Sequence, residues 1–202
     1  VVLELGYFRR QVYYQVSLNN IGWVPKAPKP ADRLKALRLP RLVTGTGARE
    51  VLVCGQKPLD AQHELTADDL NWWAWQTCEH YRQQGSTVRY RPHPHDHEFR
   101  KNVPAWTKHV LVSDGLVCPM SEDMARACTV VTLNSTAGLE ALYHGRHVVC
   151  HPTAFYAERS GADPVGHPEF LHRVAYAQWT LQEIAEGLCH RVLLEEVDRE
   201  QT

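Results

Sequence analysis

The sequence predicts an α/β fold: a Rossmann-like parallel sheet with flanking helices, preceded by a separate amino-terminal segment. Two observations predict the sheet. From residue 50 onward, short apolar runs alternate with longer stretches of helical periodicity. Polar segments rich in Gly, Pro and Ser follow those runs, as they do where buried strands end. A third observation sets the boundary: the proline-rich stretch 24–30 favours extended backbone, so we expect two parts, residues 1–45 and 46–202.

The first residues form an element of their own. Residues 1–5 have the apolar pattern of a buried strand, and Gly6 ends it. Because the chain opens within this pattern and without Met, we expect further sequence upstream.

Strands and helices alternate after the connector. The predicted strands cover residues 50–55, 87–91, 110–113, 129–133 and 147–150. The predicted helices cover residues 66–84, 121–127, 136–143 and 180–197. Repeated strand-then-helix units predict a parallel sheet with right-handed crossovers.

Composition limits the class of protein. The 202 residues are 44% hydrophobic and 22% charged, enough for one domain and part of a second. No apolar run approaches the roughly 20 residues that span a bilayer, and no secretory leader pattern opens the chain, so we expect a cytoplasmic protein. The six cysteines form no Cys-x-x-Cys pair, which predicts reduced thiols in a reducing compartment, several of them buried.

Charge is distributed unevenly. The first 49 residues contain nine Lys and Arg against Glu4 and Asp32, whereas the whole chain has a net charge of −1. This basic segment either faces an anionic partner, with Arg9 as a contact, or is a solvated surface.

Two short segments place polar side chains and a helix N-terminus at one edge of the predicted sheet. Residues 91–94 (Arg-Pro-His-Pro) end one strand, and residues 134–140 end another and open a helix. His93, Ser135, Thr136 and the helix N-terminus therefore share the edge where open α/β sheets bind ligands. Free N–H groups at a helix N-terminus favour a phosphate, so the segments predict a nucleotide-phosphate site with Arg91 beside it.

Five motifs occur in an order and spacing that resemble a known family. They are Glu-Leu-Gly-Tyr-Phe-Arg at 4–9, Ser-Leu-Asn-Asn-Ile-Gly at 17–22, Val-Cys-Gly-Gln at 53–56, Tyr-Arg-Pro-His-Pro at 90–94 and Ser-Thr-Ala-Gly-Leu-Glu-Ala-Leu at 135–142. Together they resemble the capsular-polysaccharide glycosyltransferases of the Kdo-transferase type. The segment 171–180 is more similar to shorter homologues encoded by bacteriophages.

The resemblance implies a fold and a reaction. It implies the GT-B architecture, two Rossmann-like lobes, with this chain supplying the donor-binding lobe and the last part of the acceptor-side lobe. It also implies transfer from a nucleotide sugar to a hydroxyl without an obligatory metal or cofactor. The acceptor is a capsule-type glycan or glycolipid or, for the phage-like copies, a hydroxymethylated base in DNA, which would have to leave the stack.

The resemblance and the positions of residues in the predicted elements together indicate which residues would bind the sugar donor. The resemblance implies that His93 meets the donor phosphate and that Ser135 and Thr136 cap it. Gly55 and Gln56 end the first strand of the lobe and are expected beside the base or ribose. Glu140, one turn into the helix, is expected either at the ribose hydroxyls or as a solvating residue of that helix. Preformed donors at the phosphate would stabilise the charge that builds up on the leaving group.

The general base is the point at which this sequence departs from the family. The family has Glu-Asp-Gly in its first motif, with the Asp expected to take the acceptor proton, and here that position is Leu5. Leucine cannot accept a proton, so the base is Glu4, or another residue such as Asp60 or His63, or the chain does not catalyse transfer.

Other interpretations stay open at this stage. One is a non-catalytic nucleotide-binding module, and two chains in a homodimer are another way to complete the cleft. A zinc hydrolase is suggested by His93, His95, Asp96 and His97, although their spacing is one residue short of the His-x-His-x-Asp-His pattern.

Ordinary structural roles are the alternative for several of the site residues. His93 can stiffen a turn, and Ser135 and Thr136 can be helix caps. The tryptophans at 72, 73 and 75 are expected to pack in the core and at an interface, in preference to the alternative that they form a platform for a sugar. Tyr156 fits either packing or a donor contact.

Overall fold

A computed structural model describes residues 1–18, 21–40, 49–60, 62–162 and 168–200 of the chain. The chain forms two compact units, which are Val1–Pro40 with Val165–Thr202, and Arg41–Pro164. The predicted boundary between residues 45 and 46, and Asn19 and Asn20 of the second motif, lie outside the described residues. The units differ from the predicted parts because the carboxyl-terminal residues join the amino-terminal segment.

Eight strands occur among the described residues. They are β1 (Val2–Leu5), β2 (Tyr13–Ser17), β3 (Glu50–Cys54), β4 (Thr87–Arg91), β5 (Leu111–Val112), β6 (Ala127–Thr132), β7 (His147–Cys150) and β8 (Gln178–Thr180). The α-helices of the same residues are α1 (Asp32–Ala36), α2 (Ala67–Gln83), α3 (His97–Lys101), α4 (Met120–Arg126), α5 (Thr136–Tyr143), α6 (Pro168–Ala175), α7 (Leu181–Ala185) and α8 (Leu188–Glu200).

The unit Arg41–Pro164 is built on a five-stranded parallel sheet in the order β5-β4-β3-β6-β7. From β3 the chain first builds one side of the sheet, through β4 and β5, and then returns to build the other. This is the strand order of a Rossmann-like sheet, which confirms the predicted α/β fold class.

The elements of this sheet begin and end close to their predicted positions. β4, α5 and β7 coincide with the prediction, and α2 follows Thr66, whose hydroxyl accepts from Asp69 N–H in a capping box. One apolar core joins helix α2 to the three strands β3, β4 and β6. It includes Val53, Ala74 and Val131. β5 is shorter than predicted, with two residues, and both are exposed.

The other unit contains a three-stranded antiparallel sheet, β1-β2-β8. Its core is formed by Val16, Trp179, Cys189, Val192 and Leu193. The strand predicted at residues 1–5 is present as β1, but the prediction that it is buried is wrong. β1 is an edge strand, which leaves Leu3 and Leu5 52% and 44% exposed.

The predicted helix 180–197 is two helices. Thr180 caps α7 in a box with Glu183, and the chain turns at Gly187, whose φ is 74°. A positive φ is the conformation that favours glycine, so the helix pattern breaks at that residue and resumes in α8.

Acidic residues near the carboxyl terminus pair with two cations of the basic segment. Arg33 forms a two-pronged ion pair with Glu183 (2.7 and 3.2 Å), and its guanidinium lies 3.9 Å from the Trp179 ring centroid. Lys29 pairs with Glu195 at 2.6 Å. The uneven charge along the sequence is therefore partly neutralised within this unit.

Two smaller expectations can be compared with the structure. All six cysteines are free, and Cys54, Cys78 and Cys189 are buried, whereas Cys128 is exposed. Among the described residues, no helix is both long and apolar enough to cross a membrane.

Candidate functional site

The carboxyl ends of three neighbouring strands meet at one edge of the parallel sheet. Cys54, the last residue of β3, is level with Arg91 on β4 and with Thr132 on β6. The segments that follow these strands therefore leave the sheet at the same edge. β3 and β6 are also the strands between which the order of connection reverses, and open α/β sheets bind ligands in the crevice at that point.

Gly55 allows the chain segments after β3 and β4 to approach closely. Its N–H donates to Arg91 O at 2.8 Å. A Cβ at this position would lie 2.7 Å from Tyr90 Oη and 3.2 Å from His93 N. Glycine is thus required by the packing against β4, at the edge where the sequence predicts a place beside the base or ribose.

Gln56 joins β3 to the loop that opens α5. It is 7% exposed, and its side-chain amide lies 2.7 Å from Asn134 Oδ1. With its oxygen turned towards the loop, the amide accepts from the N–H groups of Asn134 (3.0 Å) and Ser135 (2.7 Å). Gln56 therefore fixes the position of Ser135 at the edge.

His93 lies in a turn that sets its tautomer. The His95 N–H donates to His93 Nδ1 at 3.1 Å, so in the neutral ring the proton is on Nε2. Burial is the main cause that lowers the pKa of His93, and the neighbouring His95 adds to it, while Asp60 and Asp96 oppose the shift. The ring is half-buried and presents Nε2–H as a neutral donor.

Ser135 and Thr136 open α5 on the other side of β3. Ser135 is the N-cap, and its hydroxyl accepts from Ala137 N–H at 3.2 Å. Both residues are half-buried. Within the described part of the chain, neither the N–H nor the hydroxyl of Thr136 has a hydrogen-bond partner. His93 and Ser135 follow β4 and β6, the two strands that flank β3.

Tyr156 packs against the first turn of α5 and hydrogen-bonds to its N-cap residue. It is fully buried, and its hydroxyl donates to Ser135 O at 2.5 Å. Gly138 makes room for the ring, because a Cβ there would lie 2.6 Å from Tyr156 Cε2. The structure thus selects packing for Tyr156, the first of the two roles that its sequence position allows.

The carboxylate of Glu140 has few interactions that would stabilise its charge. It lies one turn into α5, and no side-chain hydrogen bond to another described residue satisfies it. Burial raises its pKa, and the Arg91 charge opposes that shift. Glu140 also contributes to raising the pKa of Cys54, which places it near the end of β3. A group in this position is available to accept hydrogen bonds from a ligand.

Arg91 is committed to protein partners. It is 6% exposed, and its guanidinium donates to Asp123 Oδ2 (2.6 Å), to Cys118 O (2.9 Å) and, more weakly, to Ser113 Oγ (3.4 Å). Asp123 is fully buried. Arg91, which the sequence places beside the predicted phosphate site, thus directs these guanidinium N–H groups to protein partners at the end of β4.

Glu4 and Arg9 belong to the unit with the antiparallel sheet. Glu4 is half-buried on β1, and its Oε1 accepts from the Leu5 N–H at 3.0 Å. Arg9 is exposed in the loop between β1 and β2, where its φ is 47°. Strand alternation puts Glu4 and Leu5 on opposite faces, as expected.

The residues proposed as a zinc site do not converge. The rings of His93 and His95 have centroids 5.5 Å apart, and those of His95 and His97 are 6.4 Å apart. Across the described ranges, no three His, Cys, Asp or Glu side chains are placed to share a metal ion.

Sequence reasoning did not connect three residues with the support of this edge. Asn134 precedes the predicted cap, and its polarity next to a buried strand was a usable signal. Tyr156 and Asp123 act on Ser135 and Arg91 from 21 and 32 residues away, and no local pattern indicates those pairings.

Comparisons with known proteins found one similar family model and structures of similar fold. Residues 81–163 match the family model described as "Capsule polysaccharide biosynthesis protein". This range is less than half of the chain and includes His93, Ser135, Thr136 and Glu140. No curated protein sequence matches the chain.

Two solved structures are similar in fold. A Thermosulfurimonas dismutans KpsC structure titled "beta Kdo 2,7 transferase" has a TM-score of 0.54 at 18% identity and covers 87% of this chain. A second KpsC structure from that organism, titled "beta Kdo 2,4 transferase", has a TM-score of 0.49 at 17% identity and covers 80%. The chain spans 66% and 56% of their lengths.

Proposed function

We propose that this chain is a glycosyltransferase that moves a sugar from a nucleotide-sugar donor to a hydroxyl of a capsule-type glycan. The observation that supports it best is the common edge of β3, β4 and β6, where His93 and the start of α5 flank the reversal point of the sheet. The matched capsule-synthesis range contains both segments.

The donor phosphate is proposed to lie between His93 and α5. Thr136 supplies its N–H and hydroxyl, and the N-terminus of α5 adds a favourable dipole. His93 donates from Nε2. As the glycosidic bond breaks, negative charge grows on the departing phosphate, and donors that are already in place stabilise it without reorganisation.

Glu140 is proposed to accept hydrogen bonds from the ribose hydroxyls of the donor. A hydroxyl pair offers two donors, and a carboxylate short of partners gains most from them. Gln56 and Arg91 are proposed as positioning residues, because the protein itself uses their side-chain groups. Gly55 is proposed to shape the same edge.

The acceptor hydroxyl needs a base, and we assign Glu4 to this role. The assignment extends the resemblance of the first motif, in which Leu5 replaces the expected aspartate. Asp60 is the alternative, since it is close enough to His93 to influence its pKa. Arg9, exposed in the loop after β1, is proposed as an acceptor or anion contact.

The GT-B architecture, metal independence and a cytoplasmic site of action are part of this proposal. A DNA acceptor is a weaker alternative because it depended on the basic segment, and Lys29 and Arg33 of that segment are paired with glutamates. A non-catalytic nucleotide-binding module is the other alternative, and the transfer assay distinguishes it.

The test is transfer of label from nucleotide sugars, headed by a Kdo donor because the similar structures are titled Kdo transferases. Capsule oligosaccharide and hydroxymethylated DNA serve as acceptors. We expect transfer to the oligosaccharide, unchanged by chelator, and a loss of about 100-fold or more in His93→Ala. His97→Ala is the matched control, an exposed histidine of the same segment. Binding of nucleotide without transfer to any acceptor would contradict the proposal and favour the module.

A further inference from the structure

A small polar cleft lies on the unit Arg41–Pro164, between the start of α2 and residues 96–104. Its volume is about 170 Å³. The polar residues that line it are Asp68, Asn71, Tyr90, Asp96, Glu98 and Asn102. Three of these side chains are carboxylates, and among the residues that the structure describes no lysine, arginine or histidine lines the cleft. The lining therefore disfavours an anionic ligand.

Tyr90 brings an unsatisfied hydroxyl to this cleft. The residue is 3% exposed, and its ring packs against Phe99 and Trp106 with centroids 5.3 and 5.1 Å away. Its hydroxyl has no hydrogen-bond partner in the part of the chain that the structure describes. Tyr90 lines the cleft, so a ligand there that hydrogen-bonds to this hydroxyl gains an interaction that the protein itself does not supply.

Neighbouring groups offer both donors and acceptors. Asn71 Oδ1 accepts from Trp106 Nε1 at 2.8 Å, which leaves the amide NH₂ of Asn71 to donate into the cleft. Asp96 Oδ1 accepts from Phe99 N–H at 3.0 Å, which leaves Oδ2 to accept. The cleft thus presents the mixture of donors and acceptors that a polyhydroxyl ligand requires.

Two exposed tryptophans continue the same side of α2. Trp72 and Trp75 are 57% and 37% exposed, and their rings are 4.7 Å apart between centroids. They follow Asp68 and Asn71 by four residues each, and residues four apart are neighbours on a helix surface. We call Asp68, Asn71, Trp72 and Trp75, together with the cleft, the α2 face.

We infer that the α2 face is a binding site for an uncharged saccharide. Sugar rings have an apolar face of C–H groups that packs on an indole, and hydroxyls at their rim that pair with carboxylates, amides and a phenol. A purely apolar partner would leave the Tyr90 hydroxyl and the Asn71 amide without partners. The three carboxylates disfavour an acidic sugar.

Tyr90 and Asp96 adjoin the sheet edge, at Gly55 and His93, whereas Asp68, Asn71, Trp72 and Trp75 lie on α2. The inference does not depend on the proposed transferase activity.

The test is a titration of the full chain with maltotetraose, cellotetraose and N-acetylchitotetraose, followed by calorimetry and tryptophan fluorescence. Tetragalacturonate is the anionic comparison. We expect at least one uncharged tetrasaccharide to bind at concentrations up to about 10 mM, and the tetragalacturonate to bind more weakly.

Substitutions locate the binding. Trp72→Ala and Trp75→Ala remove exposed rings and leave the fold intact, and each is expected to weaken binding about tenfold. Tyr90→Phe removes only the unpaired hydroxyl and is expected to weaken it as well. Trp73→Phe is the matched control, because Trp73 is packed against the core on the same helix, and its binding should equal that of the wild type.

Three results would overturn the inference. The first is no binding of any uncharged tetrasaccharide, and the second is binding that Trp72→Ala, Trp75→Ala and Tyr90→Phe all leave unchanged. The third is a concentration-dependent dimer, seen by sedimentation, that Trp72→Ala abolishes while no saccharide binds. In that case a second copy of the chain covers the α2 face.

Discussion

His93 and Glu140 show how burial sets the charge of this edge. The environment of His93 favours the neutral ring, so its Nε2–H is a donor without a positive charge. Glu140 is a carboxylate for which burial makes ionisation unfavourable. His93 therefore offers a hydrogen bond to a phosphate without a charge. Because burial disfavours the ionised form of Glu140, this carboxyl group repels a phosphate less than a fully ionised carboxylate would.

Glu140→Gln tests whether this carboxylate is kept for function at a cost in stability. The pKa of Glu140 in the folded chain lies above its ordinary value of 4.5. The wild type therefore loses stability as the pH rises from that value through the raised pKa, and the loss persists at neutral pH. We expect Glu140→Gln to raise the free energy of unfolding by about 1 kcal/mol at neutral pH, with a smaller gain in acid, and to weaken nucleotide binding.

Urea denaturation at neutral and acidic pH measures the change. Glu64→Gln, an exposed glutamate in the loop before α2, is the control and should alter neither quantity. A gain that is independent of pH, or a variant less stable than the wild type, would contradict the account.

Arg91 shows that a sequence motif does not predict which partners a side chain binds. The sequence places it beside the histidine of the motif, but its charge is matched by Asp123 on α4, 32 residues away. Only the folded chain brings the two together.

Asp123→Ala is expected to lower the free energy of unfolding by about 3–5 kcal/mol, because it leaves the Arg91 guanidinium buried without a counter-charge. Glu98→Ala breaks an exposed pair with Lys101 and should cost less than about 1 kcal/mol. Chemical denaturation of both variants makes the comparison. Equal losses would show that the Arg91–Asp123 pair does not hold the end of β4.

At the scale of elements, α5 is the part of the site best specified by its own sequence. Its bounds, its cap at Ser135 and its position after a buried strand all follow from local pattern. Local pattern does not predict the contacts of Gln56 and Tyr156 with the residues that open α5, because these contacts join segments that are distant in the sequence. The same limit explains β1, whose apolar residues gave no sign that it lies at a sheet edge.

Gly138→Ala tests the support of α5. In an unconstrained helix this change is stabilising by up to about 1 kcal/mol. Here the new methyl group would overlap the Tyr156 ring, so we expect a loss of about 1–3 kcal/mol and weaker nucleotide binding.

Thermal denaturation and a nucleotide titration measure both effects. Gly115→Ala is the control, because its Cβ would meet Arg91 Nη2 at an ordinary 3.4 Å. A stabilised Gly138→Ala variant would show that Tyr156 does not restrain the helix.

At the scale of the whole molecule, the chain's two ends share one unit. β8 pairs with β2, Gln178 Oε1 accepts from Phe8 N–H at 2.7 Å, and Glu196 accepts from the N–H groups of Lys26 and Ala27. The sequence predicted the Rossmann-like sheet because periodicity and turn residues are local. It did not predict this pairing of the ends, because antiparallel partners more than 160 residues apart leave no local trace.

Truncation after residue 164 tests the dependence of the amino-terminal segment on the carboxyl-terminal one. Without β8, β1 and β2 are an isolated two-stranded hairpin, which is marginal in water. We expect trypsin to cleave the truncated chain quickly within residues 1–40 while residues 49–162 resist. The full chain, digested in parallel, should be protected in both ranges. A truncated chain that keeps residues 1–40 protected would contradict the unit assignment.

The account depends most on the sheet edge as a nucleotide-phosphate site, and thermal denaturation with CMP, UDP, GDP, TDP and their sugars tests it directly. A ligand at a hundred times its Kd stabilises the folded chain by about 2.7 kcal/mol, so one of these nucleotides should raise Tm clearly. The rise should shrink in His93→Gln and Thr136→Val and persist in His97→Gln. No shift with any nucleotide, or a shift that His93→Gln and Thr136→Val leave intact, would contradict the site.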